Sequence, residues 1–302
     1  QLLIEPKSMN TAPAILWGIM RIQKKHPNEA VVILASDHLI NDTKNFKSAL
    51  ENAKSLADAG YIVTFGICPD HAETGYGYIK AGNRIGVGYL VEDFVEKPDK
   101  KTAEYYLESS KYFWNASIFM AKTEIWLKEY CDLSPDLYAE FKKKQFEDME
   151  LNDPHIIKEI YESIKSESVD YALLEKSKKV SVIPVDMQWS DLGSWESIYK
   201  ISEKDSHENV VRGNVIAHDT KNSLIFSNKK LVTSVGVDNL IIVETEDALL
   251  VCDMRRSQDV KKLVETLKKE ERHEYKFHTK VIRPWGISTT IMENSNCKIK
   301  FL

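Results

Sequence analysis

Two aspartates stand where a sequence of this kind could do ionic chemistry. Ser36-Asp37-His38 follows the apolar run AVVILA at residues 30–35, and Trp189-Ser190-Asp191-Leu192-Gly193-Ser194-Trp195 sets an aspartate between two tryptophans. In open α/β sheets ligands bind beyond the carboxyl ends of the strands, and a carboxylate there suits a hard divalent ion held through oxygen. The same aspartates could equally cap the segments that follow them. On one sheet edge, Asp37 and Asp191 would make an economical magnesium site, because that ion takes one or two carboxylates plus substrate phosphates. Buried tryptophans would fix the loop around Asp191; a packed aromatic corner with Asp191 as a turn residue is the alternative.

Two further strings carry candidate binding groups. Glu73-Thr74-Gly75-Tyr76-Gly77-Tyr78-Ile79 is rich in glycine and tyrosine, and its glycines would let backbone amides approach a ligand, unless it is only a tight hairpin. Phe94-Val95-Glu96-Lys97-Pro98 puts an acid and a base at a strand end stopped by proline. Lys97 could hold a phosphate and Glu96 could accept sugar hydroxyls, or the two could form a surface ion pair. The histidines are scattered, and neither a G-x-S-x-G string nor a nucleophilic Cys-His arrangement is present.

The elements that must position these groups alternate between strand and helix over residues 1–203. Strands are predicted at 30–35, where the apolar run suits a strand buried on both faces, and at 61–67, 89–95 and 179–184. A helix with Phe46, Leu50, Ala53 and Leu56 on one side follows the candidate caps Asn41, Asp42 and Thr43, and residues 123–165 read as helical. The pattern predicts a doubly wound α/β domain. Residues 211–253 change character: short apolar segments separated by turn pairs such as Gly213-Asn214 predict a small all-β region. A helix with Val260, Leu263 and Leu267 on one stripe is expected over 256–272, then a strand-like tail.

Composition narrows the partners. The 302 residues carry a formal charge of -5, with 43% hydrophobic and 29% charged residues, so nothing marks a polyanion-binding surface and nucleic acid is not expected. Lysine runs such as residues 142–144 read as solvated helix faces. The four cysteines, Cys68, Cys131, Cys252 and Cys297, form no C-x-x-C pair, which speaks against a zinc ribbon or disulfide framework and for a reducing, cytoplasmic setting. No run approaches the ~18 apolar residues of a membrane span, and no signal peptide opens the chain.

Seven strings in order carry a family resemblance: Glu5-Pro6 with Asn10-Thr11-Ala12-Pro13-Ala14, Ser36-Asp37-His38, ETGYGYI from Glu73, FVEKPD from Phe94, FWNAS from Phe113, SVDYALLEK from Ser168 and WSDLGSW from Trp189. Together, over residues 1–195, they resemble the bacterial mannose-1-phosphate guanylyltransferases of the long type, fused to a mannose-6-phosphate isomerase domain. The resemblance implies a nucleotidyltransferase-type, Rossmann-like α/β fold: a mostly parallel sheet with helices on both faces, plus a small all-β C-terminal region. It implies a nucleotidyltransferase domain over 1–205, the β region over 206–255, a helix or linker over 256–275 and the start of a cupin-type isomerase domain over 276–302. Asp37, Lys97 and Asp191 match catalytic positions, with Asp37 and Asp191 as the ligands of Mg2+ and Lys97 on the sugar phosphate. Glu5 and Asn10 match positions facing the base; Gly77 matches a backbone contact to the sugar; Glu96 and Asn115 match partners of its hydroxyls. Thr11 and Tyr78 fall within the matched strings and count with the substrate-binding set.

The implied reaction is attack of mannose 1-phosphate on the α-phosphorus of GTP, giving GDP-mannose and pyrophosphate; a homodimer is a further expectation. Asn115-Ala116-Ser117 stands where the family commonly has Asn-Ser-Gly. The chain opens on Gln1-Leu2-Leu3-Ile4, beyond the point where the family's glycine-rich G-G-x-G-x-R-L loop is expected, so it reads as a fragment with poor turnover as written. Arg283-Pro284-Trp285-Gly286 resembles the opening of the isomerase domain, whose metal ligands are expected further on. Two other readings stand beside this one: a mannose-6-phosphate isomerase by the name of the parent gene, and a non-catalytic relative that binds sugar nucleotides.

Overall fold

A computed structural model describes residues 2–146, 153–276, 280–283, 286–293 and 298–301. It divides into two compact units, residues 1–191 and 192–302. In the first unit the elements are α1 (Thr11–Lys25), β1 (Ala30–Ile33), β2 (Leu39–Ile40), α2 (Thr43–Asp58), β3 (Ile62–Ile67), β4 (Tyr78–Ile85), β5 (Gly88–Val95), α3 (Lys100–Ser109) and β6 (Tyr112–Lys122). They continue as α4 (Thr123–Leu133), α5 (Pro135–Phe146), α6 (Pro154–Ser163), a π-helical turn (Asp170–Leu174), β7 (Val180–Pro184) and β8 (Trp189–Ser190).

The unit is built around β6, eleven residues long and buried along most of its length. Along one edge it pairs antiparallel with β3; along the other it meets β4 near its start and β1 at its end. The order β1-β6-β3-β7-β5-β4 is completed by the parallel pair β3–β7 and the antiparallel pairs β5–β7 and β4–β5. The sheet is therefore mixed rather than mostly parallel, because β6 runs against its neighbours and β4–β5 is a hairpin. β1 is likewise half-buried and paired on one side only among the described residues, rather than enclosed on both faces.

Local chemistry explains the helices. Asp42 caps α2 by accepting the Asn45 N–H at 2.9 Å, and Ala49, Ala53, Leu56 and Ala57 recur on its buried face. The helix stops at Gly60, whose φ of 92° lies in the left-handed region. Asp99 caps α3 the same way, and Asp153 precedes Pro154 at the first turn of α6. One face of the sheet packs on α1, α4, α5 and α6 through Leu16, Trp126, Phe141 and Ile160; another cluster joins α2 to Phe65 and Ile118. Each such side chain contributes about 1.5–3 kcal/mol by leaving water.

The second compact unit starts at Leu192. Helix α7 (Trp195–Ile201) belongs with it, because Trp195, Ile198 and Tyr199 pack against Val210, Leu224 and Ile241. Strands β9 (Val210–Arg212), β10 (Val215–His218), β11 (Leu224–Ser227), β12 (Val232–Val235), β13 (Leu240–Glu244) and β14 (Leu249–Asp253) follow. β9, β11 and β13 stack in parallel, as do β10 and β12, so the chain climbs like a coil. β14 closes the climb by turning antiparallel onto β13. Glu244 pins one corner by accepting the N–H groups of residues 228, 229 and 230. A 3-10 turn (Met254–Asp259), α8 (Val260–Lys269) and α9 (His273–Lys276) lead to the antiparallel strands β15 (Lys280–Arg283), β16 (Gly286–Glu293) and β17 (Lys298–Phe301). Pro284, Trp285 and Cys297 lie outside the described residues. Among the described residues no helix is long and apolar enough to cross a membrane.

Candidate active site

Four of the expected residues meet at the start of β4. Gly77 precedes that strand, and its carbonyl accepts the Asn115 N–H of β6 at 2.8 Å. A Cβ at Gly77 would lie 2.6 Å from Glu96 Oε2 and 3.4 Å from Asn115 Cβ, so the absence of a side chain lets these groups converge. Lys97 Nζ donates to Glu96 Oε1 at 2.6 Å; the Glu96 side chain is only 9% exposed, the lysine 59%. Burial opposes the charge on Lys97, but the bond to Glu96 and its field outweigh that, and the ammonium is held above its usual range. Lys97 takes a left-handed φ of 49° before Pro98, strain of the kind that proteins keep at functional positions.

The two aspartates are joined by a short ribbon. β2 and β8 pair antiparallel, Leu39 opposite Ser190 and Ile40 opposite Trp189. Asp37 lies two residues before β2 and Asp191 directly after β8, so the ribbon anchors both segments. Aromatic packing braces the place: Trp189 Nε1 donates to His38 Nδ1 at 3.2 Å, and Tyr76 lies edge-on to both Trp114 and Trp189. The Tyr76 hydroxyl donates to Asp191 Oδ1 at 2.8 Å, and burial followed by the Asp191 charge pushes its pKa up. Tyr76 therefore links the aspartate ribbon to the Gly77 cluster through one peptide bond. Trp195, expected as the second brace, packs instead with Phe226 in the second unit.

The donor set suits a hard ion. Among the described residues no group of three or more His, Cys, Asp or Glu side chains is placed to hold a metal ion. Asp37 and Asp191 are the carboxylates that could hold magnesium, an ion that leaves most of its coordination to phosphate and water.

The residues expected at the base sit at the start of α1. Asn10, at φ 69°, caps the helix by accepting the Thr11 N–H at 2.9 Å, and Tyr161 donates to Glu5 Oε1 at 2.9 Å. Thr11 Oγ1 accepts the Val169 N–H at 2.9 Å, while Met9 and Ala12 exchange backbone bonds with Glu167. The start of α1 is thus stitched to the segment ending at Asp170.

Sequence reasoning misplaced one residue and missed several. Tyr78, expected to bind substrate, is fully buried and packs with Tyr106 and Trp114, because strand alternation turns it into the core behind Gly77. Asp170 was missed although it lies inside the SVDYALLEK string: it is 9% exposed and accepts from Asn115 Nδ2 at 3.2 Å. Thr64, Ser117 and Glu175 were also missed; Thr64 donates to Asn115 Oδ1 at 2.9 Å and Glu175 accepts the Glu96 N–H at 3.1 Å. Asn115 is itself buried, its carboxamide occupied by these partners.

A mixed sheet flanked by helices gathers carboxylates and a lysine beyond its strand ends. The chain matches the Nucleotidyl transferase family over residues 1–208 and belongs to it. Residues 213–267 match the MannoseP isomerase/GMP-like beta-helix domain, in keeping with the coiled strands of the second unit. The chain is 42% identical over 305 residues to the mannose-1-phosphate guanylyltransferase of Salmonella muenchen and 40% identical over 307 residues to that of Escherichia coli K12. Each alignment covers 99% of this chain and 64% of the relative, so the chain spans under two thirds of their length. The mannose-1-phosphate geranyltransferase of Thermus thermophilus superposes with a TM-score of 0.77 at 29% identity, covering 89% of this chain and 78% of that one.

Proposed function

We propose that this chain is the nucleotidyl-transfer part of a mannose-1-phosphate guanylyltransferase, joining GTP and mannose 1-phosphate into GDP-mannose with release of pyrophosphate. The observation that carries the reading is the convergence of Gly77, Glu96, Lys97 and Asn115 on one point, linked through Tyr76 to Asp191. That arrangement has a hydroxyl-accepting carboxylate and a phosphate-attracting ammonium side by side, with room made by a glycine. Likeness to guanylyltransferases over nearly the whole chain supports mannose and guanine as the partners.

In this reading Glu96 accepts sugar hydroxyls, and Lys97 draws the sugar phosphate to the same end of the site. The start of α1, with Glu5 and Asn10, faces the base, and Thr11 fixes that helix end to the 167–170 segment. The transfer needs no covalent nucleophile, since positioning and charge neutralisation suffice for in-line displacement at phosphorus. Asp37 and Asp191 would hold magnesium, which when bound neutralises the triphosphate. The Tyr76 hydroxyl keeps the Asp191 carboxylate oriented for that purpose.

The test pairs binding with turnover. Calorimetric titration of the chain with GDP-mannose and with UDP-glucose should show preference for the former. Pyrophosphate release should require GTP, mannose 1-phosphate and magnesium together. Equal affinity for both sugar nucleotides, or release indifferent to the sugar phosphate, would overturn the assignment.

A further inference from the structure

One buried carboxylate under the sugar-phosphate end has no role in the scheme above. We propose that Asp170 is a positioning residue: it fixes the Asn115 carboxamide beneath Gly77 and adds a second negative charge to the field around Glu96 and Lys97. The proposal deepens the nucleotidyl-transfer reading and rests on it for the identity of the ligand.

The orientation of Asn115 follows from its partners. The backbone N–H of Ser117 can only donate, and it points at one end of the carboxamide at 3.1 Å, which must therefore be Oδ1. Thr64 Oγ1 donates to that same oxygen at 2.9 Å. The Nδ2 end is then turned toward Asp170, 3.2 Å away. Asp170 is the charged acceptor that completes this set, and hydrogen bonds to charged groups are the stronger kind. Asn115 in turn carries the site: its N–H holds the Gly77 carbonyl, and its Cβ backs the space where Gly77 lacks a side chain.

The charges around Asp170 are unbalanced. Glu96 and Lys97 approach from the end of β5, Asn115 from β6 and Tyr130 from α4; Ser168 bonds Asp170 from its own segment. The Lys97 ammonium is paired with Glu96 at 2.6 Å, while Asp170 feels both charges without an ion pair to either. Burial, followed by repulsion from Glu96, raises the Asp170 pKa to about 6, with Lys97 and Ser168 opposing. An arriving phosphate adds negative charge beside this group and favours its protonated form. The ammonium then faces the phosphate with one competing carboxylate instead of two. Asp170 also closes the link from Thr11 through Val169 to Asn115, so one short segment touches both ends of the site.

The experiment uses wild type, Asp170→Asn, which keeps the shape and an acceptor, and Asp170→Ala, which removes both. The first readout needs no ligand: the side-chain amide signal of Asn115 by nitrogen-15 NMR, assigned by its loss in Asn115→Asp, followed from about pH 4.5 to about pH 8. It should titrate with a midpoint near 6 in wild type and stay flat in Asp170→Asn. The second readout is affinity for mannose 1-phosphate, with GDP as control. Asp170→Ala should lose about tenfold for mannose 1-phosphate and leave GDP unchanged. Asp170→Asn should restore the lost affinity and exceed wild type above neutral pH. A wild-type Asn115 signal that ignores pH, an identical titration in Asp170→Asn, or equal losses for GDP and mannose 1-phosphate would each overturn the proposal. Wild type that binds no hexose phosphate would instead sink the nucleotidyl-transfer reading, while the Asn115 titration would still decide what Asp170 does.

Discussion

Adding a methyl group at Gly77 is the sharpest perturbation of the candidate site. Gly77 is not one of the left-handed glycines, so alanine enters without backbone strain and its effect is steric. The new Cβ would sit 2.6 Å from Glu96 Oε2. Ordinary contact begins near 3.5 Å, so the carboxylate must retreat by about 0.9 Å. It has little room: the Glu96 side chain is 9% exposed, and Oε1 is tied to Lys97 at 2.6 Å. Overpacking of this kind costs about 1–3 kcal/mol, equivalent to roughly 5- to 150-fold in affinity if the strain falls on the sugar end. Calorimetric titration of Gly77→Ala should show GDP-mannose weakened within that range and GDP unchanged, because GDP lacks the sugar. Unaltered GDP-mannose affinity, or equal loss for both ligands, would refute the placement of Glu96 against the sugar.

In a full-length version, Asp191→Asn preserves shape and the Tyr76 contact but removes charge; turnover should fall by about 10²–10³ while Tm moves by less than about 2 °C, and turnover within threefold of wild type would exclude Asp191 from the reaction. Stability should depend on pH through Asp170: its folded pKa near 6 exceeds the ordinary 3.8, so between these values only the folded form holds the proton. Stability is therefore lost as pH rises through that window, by about 3 kcal/mol, and denaturant melts of Asp170→Asn at about pH 4 and about pH 7 should lack the decline. Asp42→Ala removes the α2 cap and should destabilise the first unit by about 1 kcal/mol without changing ligand affinity; an unchanged denaturation midpoint would show the cap to be idle.

Much of this was legible from pattern alone, and the exceptions share a cause. Residues 62–67 and 180–184 became the parallel pair β3–β7, because runs rich in apolar, β-branched residues bury well on both faces. Asp42, one of three candidate caps, proved to be the one used. β6, by contrast, escaped prediction as a strand. Its centre is Asn115-Ala116-Ser117, with Ser117 at a left-handed φ of 52°, polar and strained where a core strand reads apolar. The site supplies that polarity, since Asn115 is buried only because Thr64, Ser117 and Asp170 satisfy it. Helix α1 was likewise hidden: Asn10 caps it through the Thr11 N–H, and Thr11 Oγ1 takes a partner, Val169, some 160 residues away. Tyr78 shows the opposite error: a motif marks a stretch of chain, but strand alternation decides which of its neighbours faces a ligand.

The ribbon of β2 and β8 has two cross-strand pairs, yet it fastens residue 40 to residue 189. Bringing such distant points together carries a loop-closure entropy of about 4–5 kcal/mol, by the logarithmic scaling with some 150 intervening residues. Two pairs recover little of that by themselves, so the clasp depends on the sheet having assembled between its arms. A ligand that bridged those arms would act as a latch, raising the unfolding temperature only once the whole first unit is in place. The ribbon is thus a clasp that holds only while the architecture between its ends is closed.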